Sequence, residues 1–465
     1  MTARAAAFPG VARAISVARP ELLDVERLEV VVGAAAGVGY VGLLWLGAGP
    51  LLLAVLAMVA VAIVSPVAGL ATLAVILPIP EPDLLIPIRV VGAVVGATAF
   101  GTLVRAVIRP VPIRISPGTL IAVGYLALSA LSVIPAVTGY PDEWEKSAAL
   151  SFIHVATGIA IVILTSHLLR DRSSAPIVAL ALASACVVAA IGIADFVNLG
   201  GATGGLAQLL PPSDETRSSG VFSNSNYQGF FLAQAAILAL AIATARRGPA
   251  ALISGFALIV IGVGLAATLS RGAFLGLATG VVIAAWIRSP RFAIALMVML
   301  AAAVAIGYPI FLAARLDLTA GSTDLGAYLG QARSEFERTT AFAAGLRLFQ
   351  SAPIFGVGFG VFEFTSSQYL TFSFATFSHN QWLDILAEQG VVGIGLVLAA
   401  LAGLAYAISR SQHRLASGAR AMLGAYLVGS FFIDSTTSIQ ISGLTWLILG
   451  IVLSRRPLPA LEGAT

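Results

Sequence analysis

Charge is what this chain has least of. Asp, Glu, Lys and Arg make up 10% of its 465 residues, while 58% are apolar; an average soluble domain is about 25% charged. That balance excludes a soluble globular protein, because too little polar surface remains to clothe one. It also excludes disorder, which needs a chain too polar to collapse. Cysteine is reduced to Cys186, inside an apolar run, which excludes a disulfide framework and any Cys-based metal or redox centre and reads as a small core residue. Lysine is reduced to Lys146, so almost all of the 26 basic residues are arginine. The net charge of +4 gives no argument for a nucleic-acid partner. The 47 Gly and 22 Pro follow no triplet repeat.

What the chain has in abundance is long apolar runs. About 20 apolar residues cross the hydrocarbon layer as a helix, with some latitude for tilt and packing. The runs predict an all-α polytopic integral membrane protein with about fourteen crossings, twelve being the alternative. The segments are 29–48, 50–65, 67–80, 84–106, 118–137, 148–169, 175–198, 226–245, 250–268, 272–288, 291–314, 382–408, 419–434 and 440–454. The second and third could instead be one long helix kinked at Pro66. Charge decides between these readings. Arginines collect on cytoplasmic loops, and with an inward N-terminus fourteen crossings place Arg105, Arg170, Arg172, Arg246, Arg247, Arg288, Arg410, Arg414 and Arg455 inside. Merging the two segments would invert everything downstream and export most of them, so they are kept apart.

Residues 1–28 read as a cytoplasmic amphipathic entry rather than a cleavable signal, 29–454 as a single transmembrane domain, and 455–465 as a cytoplasmic tail. Two outer loops stand out, 199–225 and 315–381. The second is too long for a mere connector. Its stretch Ala332 to Gln350 carries Phe336, Ala343 and Leu346 among Arg333, Glu335, Arg338 and Arg347, the pattern of an amphipathic helix lying on the outer face.

In so apolar a chain, polar groups gathered on one side carry information. Arg217, Arg271, Arg338, Arg347 and His379 all fall on the outer side, which points to an anionic ligand there. Arg271 sits between two apolar segments with almost no loop around it. It reads either as a charge facing a cavity or as an interfacial arginine reaching for headgroups. Arg217 reads alone as a loop charge paired with Asp214. His379, in Ser378-His379-Asn380 before a long apolar run, is either a proton acceptor or a neighbour of the helix cap. Asp384 and Glu388 suit the helix dipole of the same segment. Asp142, Glu143 and Glu145, with Trp144, read as an outer interfacial loop or as a metal site. Gly356, Gly358 and Gly360 miss the dinucleotide-binding spacing and read as a flexible turn.

Four motifs then resemble the O-antigen ligase and polymerase superfamily. They are Gly220 to Asn226 with Arg217 upstream, Ser270-Arg271-Gly272-Ala273, Arg338 followed by Pro353 and Gly356-Val357-Gly358, and His379-Asn380 followed by Leu383, Glu388, Gly390 and Gly393. The resemblance spans about 217 to 393, with Ser225 where the family usually has proline. It implies a GT-C-like membrane glycosyltransferase that takes its glycan from undecaprenyl diphosphate on the outer face of the bacterial cytoplasmic membrane. The acceptor would be a hydroxyl on a lipid, a glycan or a protein. His379, Arg271 and Arg217 would be catalytic, with Arg338, Arg347, Asn226 and Asn380 binding substrate. No cofactor is implied, since the arginines would replace a metal ion, and attack would invert the anomeric centre. Two other readings stand beside it. One is a transporter or flippase of lipid-linked sugars, whose arginines would line a path at several depths. The other is a metal-dependent glycosyltransferase centred on Asp142, Glu143 and Glu145.

Overall fold

A computed structural model describes residues 19–45, 51–79, 90–108, 115–139, 142–197, 217–222, 224–245, 247–320, 325–369, 378–434 and 438–454, with backbone alone at 19–24, 45, 135–139, 142–146, 308–320 and 325–335. Among these residues all regular structure is helical. Apolar runs demand this, because inside a bilayer a backbone N–H finds no water and a helix satisfies it within its own segment.

In chain order the helices are α1 (Arg19–Trp45), α2 (Leu51–Val64), α3 (Pro66–Ile76), α4 (Val90–Ile108), α5 (Pro117–Gly139), α6 (Asp142–Leu168), α7 (Ala175–Phe196), α8 (Ser225–Ala245), α9 (Pro249–Ala267), α10 (Arg271–Arg288), α11 (Pro290–Ala320), α12 (Leu325–Ser351), α13 (Phe362–Thr365), α14 (Gln381–Ser409), α15 (Ala416–Gly429) and α16 (Ile439–Ser454). Ten are long and apolar enough to cross a membrane, and α2, α3 and α16 are shorter apolar helices. Each apolar run in the sequence corresponds to one helix, and α12 and α13 occupy the long loop between α11 and α14.

The break at Pro66 is a corner. Ser65 leaves the helical region at φ −135° and ψ 98°, and its side chain caps α3. A Cβ on Gly69 would come within 3.0 Å of the Ala62 Cβ, whereas residues seven apart in one rod stand about 10 Å apart. Helices α2 and α3 therefore fold back on each other. Ser65 Oγ donates to Glu29 at 2.9 Å, Glu29 pairs with Arg172, and Arg105 donates to the Val64 carbonyl at 2.6 Å. The corner thus lies at the end of the bundle that gathers Arg105 and Arg172.

At the centre stands α8, whose span is 67% buried, while α11 keeps only 6% of its Pro290–Gly307 span buried and runs along the periphery. Helix α8 is packed by α9, α10, α15 and α16, with Phe231, Leu232 and Ile237 fully enclosed.

Helix α12 forms where a helix is expected and packs on α14, but not through the expected apolar residues. Its buried face is Ala341, Ala344 and Leu348, whereas Phe336, Ala343 and Leu346 are exposed. The run expected to end at residue 434 stops as a helix at Gly429, and residues 430–434 turn back towards the start of α14. The N-terminal residues 1–18, most of the loop expected at 199–225, and the tail 455–465 lie outside the described residues.

Candidate functional site

The end of the bundle opposite Arg105 and Arg172 holds a cavity of about 360 Å³ lined by Arg217, Asn226, Ser270, Arg271 and Arg338, closed by Phe230 of α8 and by Gly429, Phe432 and Ile433 after α15. Three of the four arginines singled out from the sequence meet there.

A three-residue turn makes the meeting possible. Helix α9 ends at Ala267 and α10 begins at Arg271, so Thr268, Leu269 and Ser270 must reverse the chain. They do so with Leu269 at φ 47°, a left-handed conformation that costs an ordinary residue about 1–3 kcal/mol and clusters at functional sites. The turn sets Arg271 on the first turn of α10. Ser270 stands at the N-cap without a side-chain bond to its own helix; its Oγ donates instead to Asn226 Oδ1 at 2.9 Å. The N-terminal end of the α10 dipole therefore faces the cavity without a side-chain cap, an arrangement that favours anions.

Asn226 is a hub. Its Oδ1 also accepts from Arg217 Nη2 at 2.9 Å, while Arg217 Nε donates to the Thr268 carbonyl at 2.9 Å. The expectation that Arg217 pairs with Asp214 falls outside the described residues on the aspartate's side; the guanidinium itself is held by the α9–α10 turn. Asp195 at the end of α7 fixes the preceding strand of loop by accepting from Ser219 and Gly220 N–H, each at 3.2 Å.

His379 stands directly before α14 at φ 54°, the second left-handed non-glycine residue among those described. Ser378 Oγ accepts from the Asn380 N–H at 2.8 Å, and Asn380 Oδ1 accepts from Trp382 N and Leu383 N. Asn380 is thus the helix cap, and its side-chain oxygen is committed to α14 rather than to a ligand. Burial, and then the Arg338 charge, lower His379 to about 4, against a smaller upward pull from Glu337. The imidazole is therefore neutral near pH 7 and stands next to a cavity arginine. His379, Asn380 and Arg347 are not among the residues lining this cavity; His379 is tied to it through the Arg338 charge, and Arg347 is exposed on α12.

Sequence reasoning missed the element that holds this end together. Helix α14 breaks at Gly390, with φ 62° and ψ −160°, and the 353–362 segment plugs the break. Val391 and Val392 N–H donate to the Pro353 and Ile354 carbonyls, while Val357 and Gly358 N–H donate to the Ala387 and Glu388 carbonyls. The buried Glu388 carboxylate then accepts from Gly360 N and Phe362 N, both at 2.9 Å. Gly356 has φ 72°, and a Cβ there would lie 2.1 Å from Glu388 C. The glycine run read as a flexible turn is therefore a clamped splice, and Glu388, read as a dipole complement, is its clasp. The i, i+4 spacing of Asp384 and Glu388 was visible, but nothing in it pointed to a partner 28 residues upstream. The Asp142, Glu143 and Glu145 run opens α6, and its side chains lie outside the described residues.

Residues 255–398 match the family model for O-antigen ligase. The match supports an O-antigen ligase or polymerase-like family and O-antigen ligase-type membrane glycan transfer. It takes in Arg271, Arg338 and His379. Arg217 and Asn226 lie upstream of it, and the bonds to Thr268 and Ser270 tie them to the ligase-family stretch. No curated protein matches the chain.

Proposed function

We propose that this protein is an inverting, metal-independent glycosyltransferase that moves a glycan from undecaprenyl diphosphate to a hydroxyl acceptor on the outer face of the bacterial cytoplasmic membrane. The observation that carries the reading is the convergence of Arg217, Arg271 and Arg338 on one cavity beside a neutral histidine. Guanidinium forks give bidentate, charge-assisted bonds to phosphate oxygens. Donors fixed in advance, as Arg217 is by Asn226 and Thr268, favour charge that develops as a leaving group departs.

The chemistry runs in one displacement. The acceptor oxygen attacks the anomeric carbon, the bond from that carbon to the diphosphate oxygen breaks, and undecaprenyl diphosphate leaves with its charge on the arginines. His379 takes the acceptor proton. Attack opposite the leaving group inverts the centre. The chain is read as crossing the membrane fourteen times, α2 and α3 as a short hairpin included. The arginine-rich end faces the cytoplasm and the cavity faces outward. The acceptor is a lipid, a glycan or a protein.

The test is reconstitution of the purified protein in vesicles with a glycan on undecaprenyl diphosphate and a hydroxyl acceptor, in excess EDTA. The expected result is release of undecaprenyl diphosphate together with a glycosylated acceptor. Movement of intact donor across the bilayer without release contradicts the reading in favour of a transporter, and abolition by EDTA contradicts it in favour of a metal enzyme.

A further inference from the structure

The far end of the bundle from the catalytic cavity carries a second opening, a groove of about 690 Å³ between α7 and α9, backed by Ile242 and Ala245 of α8 and closed by the 412–415 turn after α14. We propose that this groove holds one anionic glycerophospholipid, bound by its phosphate headgroup and a single acyl chain.

The groove has the polarity of such a molecule. At one end stand Ser174, Gln412, His413 and Arg414. The ring of His413 is fixed by the Leu415 N–H on Nδ1 at 3.1 Å and by Ser174 Oγ within 3.3 Å of Nε2. From there the lining turns apolar, along Val178, Leu182 and Cys186 of α7 and Ile253 and Ala257 of α9. Ser174 and Cys186 are twelve residues apart, so the apolar channel runs about 18 Å into the bundle, the reach of an acyl chain. The volume lies within the roughly 300–1,000 Å³ of small-ligand sites. Space comes from Ala175, Ala179 and Ala183 on α7, opposite Ser254, and the channel opens sideways, where Ile253 is 66% exposed beside Leu252 and Phe256.

Charge selects the headgroup. Arg414 is exposed at the mouth, and the same end of the bundle carries Arg170, Arg172 and Arg247, with Glu29 already paired to Arg172. This is the basic face that meets anionic headgroups. The donor of the proposed reaction presents its diphosphate at the opposite end, so the two lipids do not compete.

The lone cysteine supplies a local readout. Full-length protein in neutral detergent is titrated with phosphatidylglycerol or phosphatidylcholine while lipid adducts are followed by native mass spectrometry and Cys186 alkylation by N-ethylmaleimide is timed. Phosphatidylglycerol is expected to give one adduct at lower concentration than phosphatidylcholine and to slow alkylation. Arg414→Gln should weaken phosphatidylglycerol about fivefold, the worth of one basic residue at an anionic surface, and leave phosphatidylcholine unchanged. Ala179→Leu, which fills the channel, should remove the adduct. Equal binding of both lipids, or an alkylation rate that phosphatidylglycerol does not change, overturns the proposal even if either variant fails to fold.

Discussion

At the residue scale, two side chains have separable proposed jobs. In the proposed reaction Arg271 holds phosphate oxygens through a fork, and lysine offers a point charge in its place. Arg271→Lys should therefore accumulate normally in the membrane yet lose about 10²-fold in transfer rate, the usual cost of one preorganised donor; Arg271→Ala should lose at least as much. Wild-type turnover by both variants would make Arg271 an interfacial arginine and no more. His379 makes a prediction in pH. Burial and the Arg338 charge lower it to about 4, so the base form persists at neutral pH and kcat/KM should fall only as pH drops through about 4. Arg338→Gln removes a positive charge that disfavours the imidazolium, so the acid limb should move to higher pH. An acid limb that stays in place in that variant would separate the limb from His379. The sequence made these residues legible because a charge in an apolar chain needs a reason. It did not separate Arg338 from Arg347, which share one helix nine residues apart and differ in which face they occupy.

At the scale of elements, the splice between the 353–362 segment and α14 is the feature that holds the broken helix together. Its loss should read as instability. Glu388→Ala strands two buried N–H groups, each worth about 1–3 kcal/mol when unsatisfied, and should lower the unfolding midpoint in detergent more than Glu388→Gln, which keeps an acceptor. Gly356→Ala should destabilise as well, since it meets both the positive φ and the Glu388 backbone. Equal midpoints for wild type and Glu388→Ala would mean that the carboxylate is not the clasp. Helix positions were legible from apolar runs, and the separation of α2 from α3 needed charge as well. That separation rested on arginine placement, and the Ser65 corner with its Glu29 and Arg105 contacts gives it a physical basis. The broken α14 was not legible, because a glycine inside an apolar run reads as packing space, and its backbone hydrogen-bond partners lie thirty or more residues upstream.

At the scale of the whole molecule, the two ends differ in charge chemistry. One gathers arginines on short connections. The other sets three arginines, a strained histidine and buried carboxylates around long loops. The proposed orientation rests on the first and the proposed function on the second. In a Cys186→Ser background, Arg347→Cys should react with an impermeant thiol reagent added outside intact cells, while Arg247→Cys and Gln412→Cys should not, all three positions being exposed. The reverse pattern would put the cavity in the cytoplasm.

The proposed mechanism has His379 accept the acceptor proton while the arginines carry the diphosphate. It is tested most directly by measuring donor binding and glycan transfer side by side for wild type and His379→Ala, in excess chelator. His379→Ala should keep its affinity for the undecaprenyl-diphosphate donor and transfer glycan slower by about 10²–10⁴-fold, the usual worth of one general base. Wild-type transfer by His379→Ala would contradict it.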